Sequence, residues 1–315
     1  MSLNGTSELI KNLKKKGAQR VALQFPEGLK RQSASIAADL KSAGFEVILS
    51  GDPCYGACDL ALDTLTHADV LVHFGHSPVD EQPKVIFEPY RMDFDIAVLE
   101  NVLPFLKGES VGLVTTVQHL HLIPAMERFL QAKGISVRVA AGGRRTPNRG
   151  QVLGCSFTAA KAAGADEILF VGTGLFHPIG IALATHVRVL ALDPLTGSVQ
   201  EVSDEAFLRR RFAVMEKARG AKSVGIIVST KSGQQRLDLA RRLASHSPAA
   251  VIVTMRDVIP DELLNLGFAC YVNTACPRLA YDDQVRFPVP VLSPQEFEIL
   301  CGTRTWDDYA IDEIV

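Results

Sequence analysis

RVALQFP, from Arg20 to Pro26, decides the fold because the chain writes its pattern twice more, as SVGLVTT from Ser110 to Thr116 and SVGIIVST from Ser223 to Thr230. Each is a short apolar, largely β-branched run that ends in a polar turn, the pattern of a strand buried on both faces of a parallel sheet. Their spacing of about 100 residues marks an internal repeat. An amphipathic helix follows each run. Ile36, Leu40 and Ala43 share a face in the first copy, Leu122, Met126, Phe129 and Leu130 in the second, and Leu237, Ala240, Leu243 and Ala244 in the third. Gly44 and Gly134 stand where a left-handed residue caps the helix. A second strand then follows: FEVILS from Phe45, ISVRVA from Ile135, AAVIVTM from Ala249.

Alternation of strand and helix implies parallel sheets with right-handed crossovers. ADVLVHF and KVIFE extend the first copy, ADEILFVG and VRVLAL the second, LGFACYV and VPVL the third. The fold class expected is α/β, as three similar small parallel-sheet domains in a pseudo-threefold arrangement around a central site. Their bounds are 1–103, 104–205 and 206–315, and a charged helix within Glu201–Ser223 leads into the last. The competing fold is one large doubly wound sheet without a true repeat.

Composition narrows the function. The net charge of −2 argues against a broad electrostatic footprint for nucleic acid. No apolar run approaches the roughly 18 residues needed to span a bilayer, and the polar, basic start MSLNGTSELIKNLKKKGAQR has no apolar signal core. A cytoplasmic protein is expected. Six cysteines in 315 residues are too few for a disulfide scaffold, which leaves structural, metal-binding or catalytic roles.

Three of those cysteines occupy comparable places. Cys58 lies in GDPCYGACDLA after the second strand of its copy, Cys155 in NRGQVLGCSFTAA after the second strand of its copy, and Cys276 in VNTACPRLAYDD after a third strand. Ligands of open α/β sheets bind at the carboxyl ends of strands. Small neighbours such as Gly56, Gly154 and Ala275 let a bulky inorganic group approach. Cys58 and Cys155 are expected to open helices, whose N-terminal field favours thiolate. One thiolate from each domain would hold a [4Fe–4S] cluster and leave one iron open, unlike a four-cysteine electron-transfer cluster. The plain alternative is that each is a buried small apolar residue. Structural zinc prefers four ligands, often in C-x-x-C pairs, and this chain has only Cys54-x3-Cys58. Cys54 and Cys270 read as packing residues and Cys301 as peripheral; His73, His76, His119 and His121 are left unassigned.

DPCYGACDLA, LGCSFTAA and NTACPRL, with QFPEGL at Gln24 and STKSGQQR at Ser229, resemble the diphthamide synthesis family, and most nearly its archaeal branch. The resemblance runs along nearly the whole chain. It implies three related α/β domains, a homodimer, and a [4Fe–4S] cluster on Cys58, Cys155 and Cys276. It further implies S-adenosylmethionine as cosubstrate, an electron donor, and translation elongation factor 2 as protein substrate. The implied reaction breaks the bond between sulfur and the methionine γ-carbon and places the 3-amino-3-carboxypropyl group on C2 of a histidine. The alternative is a [4Fe–4S] dehydratase or lyase of quinolinate-synthase-like architecture. A third reading is a non-catalytic ligand-binding protein.

Candidate cofactor contacts follow from the turns. VGTGLFHPIGIAL, from Val171, lacks the dinucleotide fingerprint because residue 177 is His; Gly172, Gly174 and His177 are taken to line the S-adenosylmethionine pocket. Gln24 and Gly28, and Ser232 and Gln235, occupy the matching turns of the first and third copies. Arg278 suits the methionine carboxylate, or else pairs with Asp282 or Asp283. AGGRRTPNRG, from Ala141, is expected to be a mobile loop.

Overall fold

The computed structural model describes residues 6–314. They form two compact units, one of residues 6–93 with 117–121 and one of residues 94–116 with 122–314.

The first unit is a sheet of β1 (Arg20–Gln24), β2 (Glu46–Leu49), β3 (Val70–Phe74) and β4 (Val85–Glu88), all parallel, in the order β2-β1-β3-β4. VLVHF of β3 is buried at every residue, as a central strand covered on both faces must be. The helix Ser33–Ser42 turns Ile36 and Leu40 into the core, on the face expected. Its last turn ends at Gly44, whose φ of +96° is the left-handed cap; Gly134, at +83°, does the same in the second copy. A helix at Thr6–Lys15, hidden in the polar start of the chain, adds Leu9 and Leu13 at four-residue spacing.

The second unit holds two sheets. One runs β5 (Ser110–Thr115), β6 (Ser136–Arg138), β7 (Glu167–Val171), β8 (Arg188–Leu192) and β9 (Val199–Glu201) in the order β6-β5-β7-β8-β9. The other runs β10 (Val224–Ser229), β11 (Ala250–Met255), β12 (Cys270–Asn273) and β13 (Val291–Leu292) in the order β11-β10-β12-β13. Every pairing in the three sheets is parallel except β8 with β9, an edge strand absent from the sequence reading. One core serves both sheets of this unit: Ile168 and Phe170 belong to the same cluster as Ile227 and Tyr271. The helix Glu205–Ala218 anchors to it through buried Arg211, which grips both oxygens of Glu296 at 2.7 and 2.6 Å.

The strand order is the same three times. The first strand of each copy lies between the second and the third, so the chain leaves the sheet in opposite directions on either side of it. That gap between first and third strands is the switch point where α/β sheets bind ligands.

Candidate functional site

In the first unit the switch point lies between β1 and β3, where Gln24 is the register partner of His73. Gln24 is buried and its amide is committed: Nε2 donates to the Asp59 carbonyl at 2.7 Å, and Oε1 accepts from the Ala61 amide at 3.1 Å. The sheet therefore grips the chain directly after Cys58. Cys58 itself is part-exposed, and a Cβ on Gly56 would stand 3.4 Å from its Sγ. Cys58 does not open a helix, contrary to expectation. It sits in a turn closed by the Asp59 amide on the Gly56 carbonyl (3.0 Å), and only a 3-10 segment follows, at Leu62–Thr66. Tight glycine-containing turns replace the first helical turn, so no helix field acts there. Gly28 is exposed within the 3-10 segment Glu27–Gln32. Burial holds the imidazoles of His73 and His76 well below the ordinary range, at about 3 and about 4. His119 and His121 bind back to Met92 and Asp93, which fastens 117–121 to this unit.

In the second unit Cys155 occupies the corner of a tight turn. Leu153 and Ser156 exchange backbone hydrogen bonds of 3.0 and 3.1 Å, with Gly154 and Cys155 between them. The helix Thr158–Ala163 starts three residues later, too far for Cys155 to be its first residue. Cys276 lies three residues beyond the end of β12, and its carbonyl accepts from the Asn273 side chain at 2.8 Å. Both cysteines are part-exposed.

Three of the sequence-derived features meet at Phe176. A Cβ on Gly154 would lie 2.7 Å from the Phe176 ring, and the Arg278 guanidinium stands 5.0 Å above that ring. Phe176 begins the helix Phe176–Thr185, which carries His177 in its first turn. The Cys155 turn, the turn from Gly172 to His177 and the segment after Cys276 are thus neighbours. His177 stacks on Phe170 at 5.7 Å between centroids; burial, then the nearby Arg278 charge, lower it to about 4. Gly172 is buried, and a Cβ there would stand 2.8 Å from the Phe170 ring, while Gly174 is exposed at φ +77°. Arg278 pairs with Asp282 at 2.8 Å. Ser232 and Gln235 are exposed on the turn after β10.

The sequence reading missed Arg145. The loop Ala141–Gly150 is pinned, with the Gly142 amide donating to the Thr146 carbonyl at 2.9 Å and the Thr146 and Thr158 hydroxyls 2.9 Å apart. Within it Arg145 is only 6% exposed. Its Nη1 donates to the Gly233 carbonyl at 3.1 Å, but Nε and Nη2 meet no hydrogen-bond partner among the described residues. Two donors of this buried guanidinium are thus left to offer to an acceptor. Its one sequence signal was an arginine between glycines just before a cysteine motif.

The fold and these turns define a class: an α/β protein of three similar parallel-dominated sheets, with a part-exposed cysteine beyond the strand ends of each. The chain belongs to the diphthamide synthesis family, whose model, described as "Putative diphthamide synthesis protein", matches residues 25–311. It is 41% identical to the 2-(3-amino-3-carboxypropyl)histidine synthase of Pyrococcus horikoshii, over 98% of this chain and 93% of that one. It is 30% identical to subunit 1 of the corresponding synthase of Encephalitozoon cuniculi, over 97% and 90%. Its fold matches the crystal structure of Dph2 from Pyrococcus horikoshii with a 4Fe-4S cluster, at a TM-score of 0.93 and 39% identity, over 99% of this chain and 94% of that one. Among the described residues no helix is long and apolar enough to cross a membrane.

Proposed function

We propose that this chain is a 2-(3-amino-3-carboxypropyl)histidine synthase that cleaves S-adenosylmethionine between sulfur and the methionine γ-carbon. The 3-amino-3-carboxypropyl group passes to C2 of a histidine on translation elongation factor 2. The observation that carries the reading is the gathering of the Cys155 turn, the Gly172–His177 turn and the Cys276 segment at Phe176. Near-full-length likeness to curated synthases supports it.

The donor set fits a [4Fe–4S] cluster. Cys58, Cys155 and Cys276 are part-exposed and flanked by small residues, whereas Cys54 and Cys270 are buried. When bound, the cluster supplies a low-potential electron and one iron free of protein ligands. The remaining roles fall to the chain's own groups. Arg145 takes the methionine carboxylate through Nε and Nη2, a fork that matches a carboxylate. Arg278, already paired with Asp282, instead fixes the Phe176 ring. His177, kept neutral by burial, offers a hydrogen bond without setting a second positive charge against the sulfonium. Gly174, exposed and with nothing within 4 Å of where a Cβ would stand, leaves the backbone open to close approach. Correct orientation of the sulfonium selects which C–S bond breaks. The enzyme works in the cytoplasm as a homodimer fed by an electron donor.

The test is transfer. Reduced, iron-loaded protein is incubated anaerobically with elongation factor 2 and S-adenosylmethionine, and acceptor peptides are read by mass spectrometry. The reading requires one modified histidine; an unmodified acceptor in the presence of intact cluster contradicts it.

A further inference from the structure

Cys54, His73 and His76 each offer one ligand atom in the first unit, and these atoms all lie within 4.8 Å of one another. None of them belongs to the proposed cluster ligands. Hydrogen bonding fixes how the histidines face. The Gln24 amide orientation is set twice over, by Nε2 on a carbonyl and Oε1 on an N–H. The Oε1 atom is also 2.8 Å from His73 Nδ1, so Nδ1 must carry the proton. The lone pair of His73 Nε2 then points at His76 Nδ1, 2.9 Å away. A metal-binding histidine is characteristically held this way, with its far nitrogen tied to a fixed acceptor. His73 and Cys54 are buried, and part-exposed His76 forms the way in.

We propose that Cys54, His73 and His76 form a second metal site, for a borderline-soft divalent ion of the zinc type, separate from the three cluster cysteines. One thiolate and two imidazoles suit that class of ion and leave a fourth position for water. Two nitrogens bound to a tetrahedral zinc stand about 3.3 Å apart, given Zn–N near 2.0–2.1 Å. The His73–His76 contact therefore opens by only a few tenths of an ångström to admit the ion. The ion replaces the proton shared between the rings; that proton moves to the outer nitrogen of His76, and the Cys54 thiol proton leaves to solvent.

Co2+ is the probe. It is added anaerobically to the full chain carrying Cys58→Ser, Cys155→Ser and Cys276→Ser, whose circular dichroism is checked first. The proposal expects one Co2+ per chain, with tetrahedral d–d absorption and a thiolate charge-transfer band. In the background that keeps the three cluster cysteines, Cys54→Ser should remove the charge-transfer band of this site and His76→Ala should weaken its Co2+ binding at least tenfold. The same two changes, made in the background lacking those cysteines, should act identically. Absence of Co2+ binding in the folded triple variant overturns the proposal. So does a Co2+ spectrum there that ignores both Cys54→Ser and His76→Ala.

Discussion

Arg236 and Asp312 form a two-point ion pair, Nη1 to Oδ1 at 2.8 Å and Nη2 to Oδ2 at 2.6 Å, that joins the two cysteine segments of the second unit. Arg236 also donates to the carbonyls of Thr274 and Ala275, immediately before Cys276. On the other side of Asp312, Glu313 accepts from the Phe157 amide and Ile314 donates to the Cys155 carbonyl at 2.7 Å. Asp312, Glu313 and Ile314 thus act as a brace between the Cys155 turn and the Cys276 loop. Asp312→Ala leaves a largely buried guanidinium without its counter-charge, which costs on the order of 3–5 kcal/mol. We expect a lowered urea midpoint and poor retention of iron after reconstitution. A variant with the midpoint and iron content of the parent contradicts the brace.

Gly154→Ala places a methyl group 2.7 Å from the Phe176 ring and 3.6 Å from the Arg278 side chain. Overpacking of this kind costs roughly 1–3 kcal/mol. Shrinking the ring with Phe176→Leu should restore part of the loss, a coupling that a double-mutant cycle measures directly. Strict additivity of the two changes would show that Gly154 and Phe176 do not constrain each other.

His177 makes stability depend on pH. Its folded pKa is lowered from 6.5 to about 4, by burial first and by Arg278 second. Between those values the unfolded chain binds a proton that the folded chain does not, so stability rises with pH in that window. The contribution is complete above about 6.5 and is lost as pH falls toward about 4. His177→Gln should flatten the urea midpoint against pH over this range relative to the parent. An identical profile in the variant removes His177 as the cause.

Arg145 separates binding from chemistry. Arg145→Lys keeps a charge but loses the planar fork, so KM for S-adenosylmethionine should rise at least tenfold. The iron content should stay at the parental value, since Arg145 is not a cluster ligand. Parental KM in a folded Arg145→Ala protein would rule out the carboxylate role.

Much of the fold was legible because burial on both faces leaves an unmistakable mark. RVALQ, SVGLVT and VGIIVS became β1, β5 and β10, and their helices buried the faces that three- and four-residue spacing marks out. What escaped was decided by tertiary contact. β9 is three residues long and borrows its conformation from β8. The helix Thr6–Lys15 rests on two buried leucines in a run rich in lysine. At the site, the glycine turns were visible, but the hydrogen bonds of the Gln24 amide to Asp59, Ala61 and His73 were not, because they join segments 35 to 49 residues apart. Arg145 was invisible because its burial depends on Gly233, 88 residues away. The metal-like meeting of Cys54 with His73 and His76 likewise needs the pairing of β1 with β3.

The most direct measurement of the central claim is product analysis after anaerobic iron and sulfide reconstitution, dithionite reduction and addition of S-adenosylmethionine. The account predicts methylthioadenosine without 5′-deoxyadenosine, abolished singly by Cys58→Ala, Cys155→Ala and Cys276→Ala and retained by Cys301→Ala. Release of 5′-deoxyadenosine, or undiminished turnover by protein stripped of iron, would contradict it.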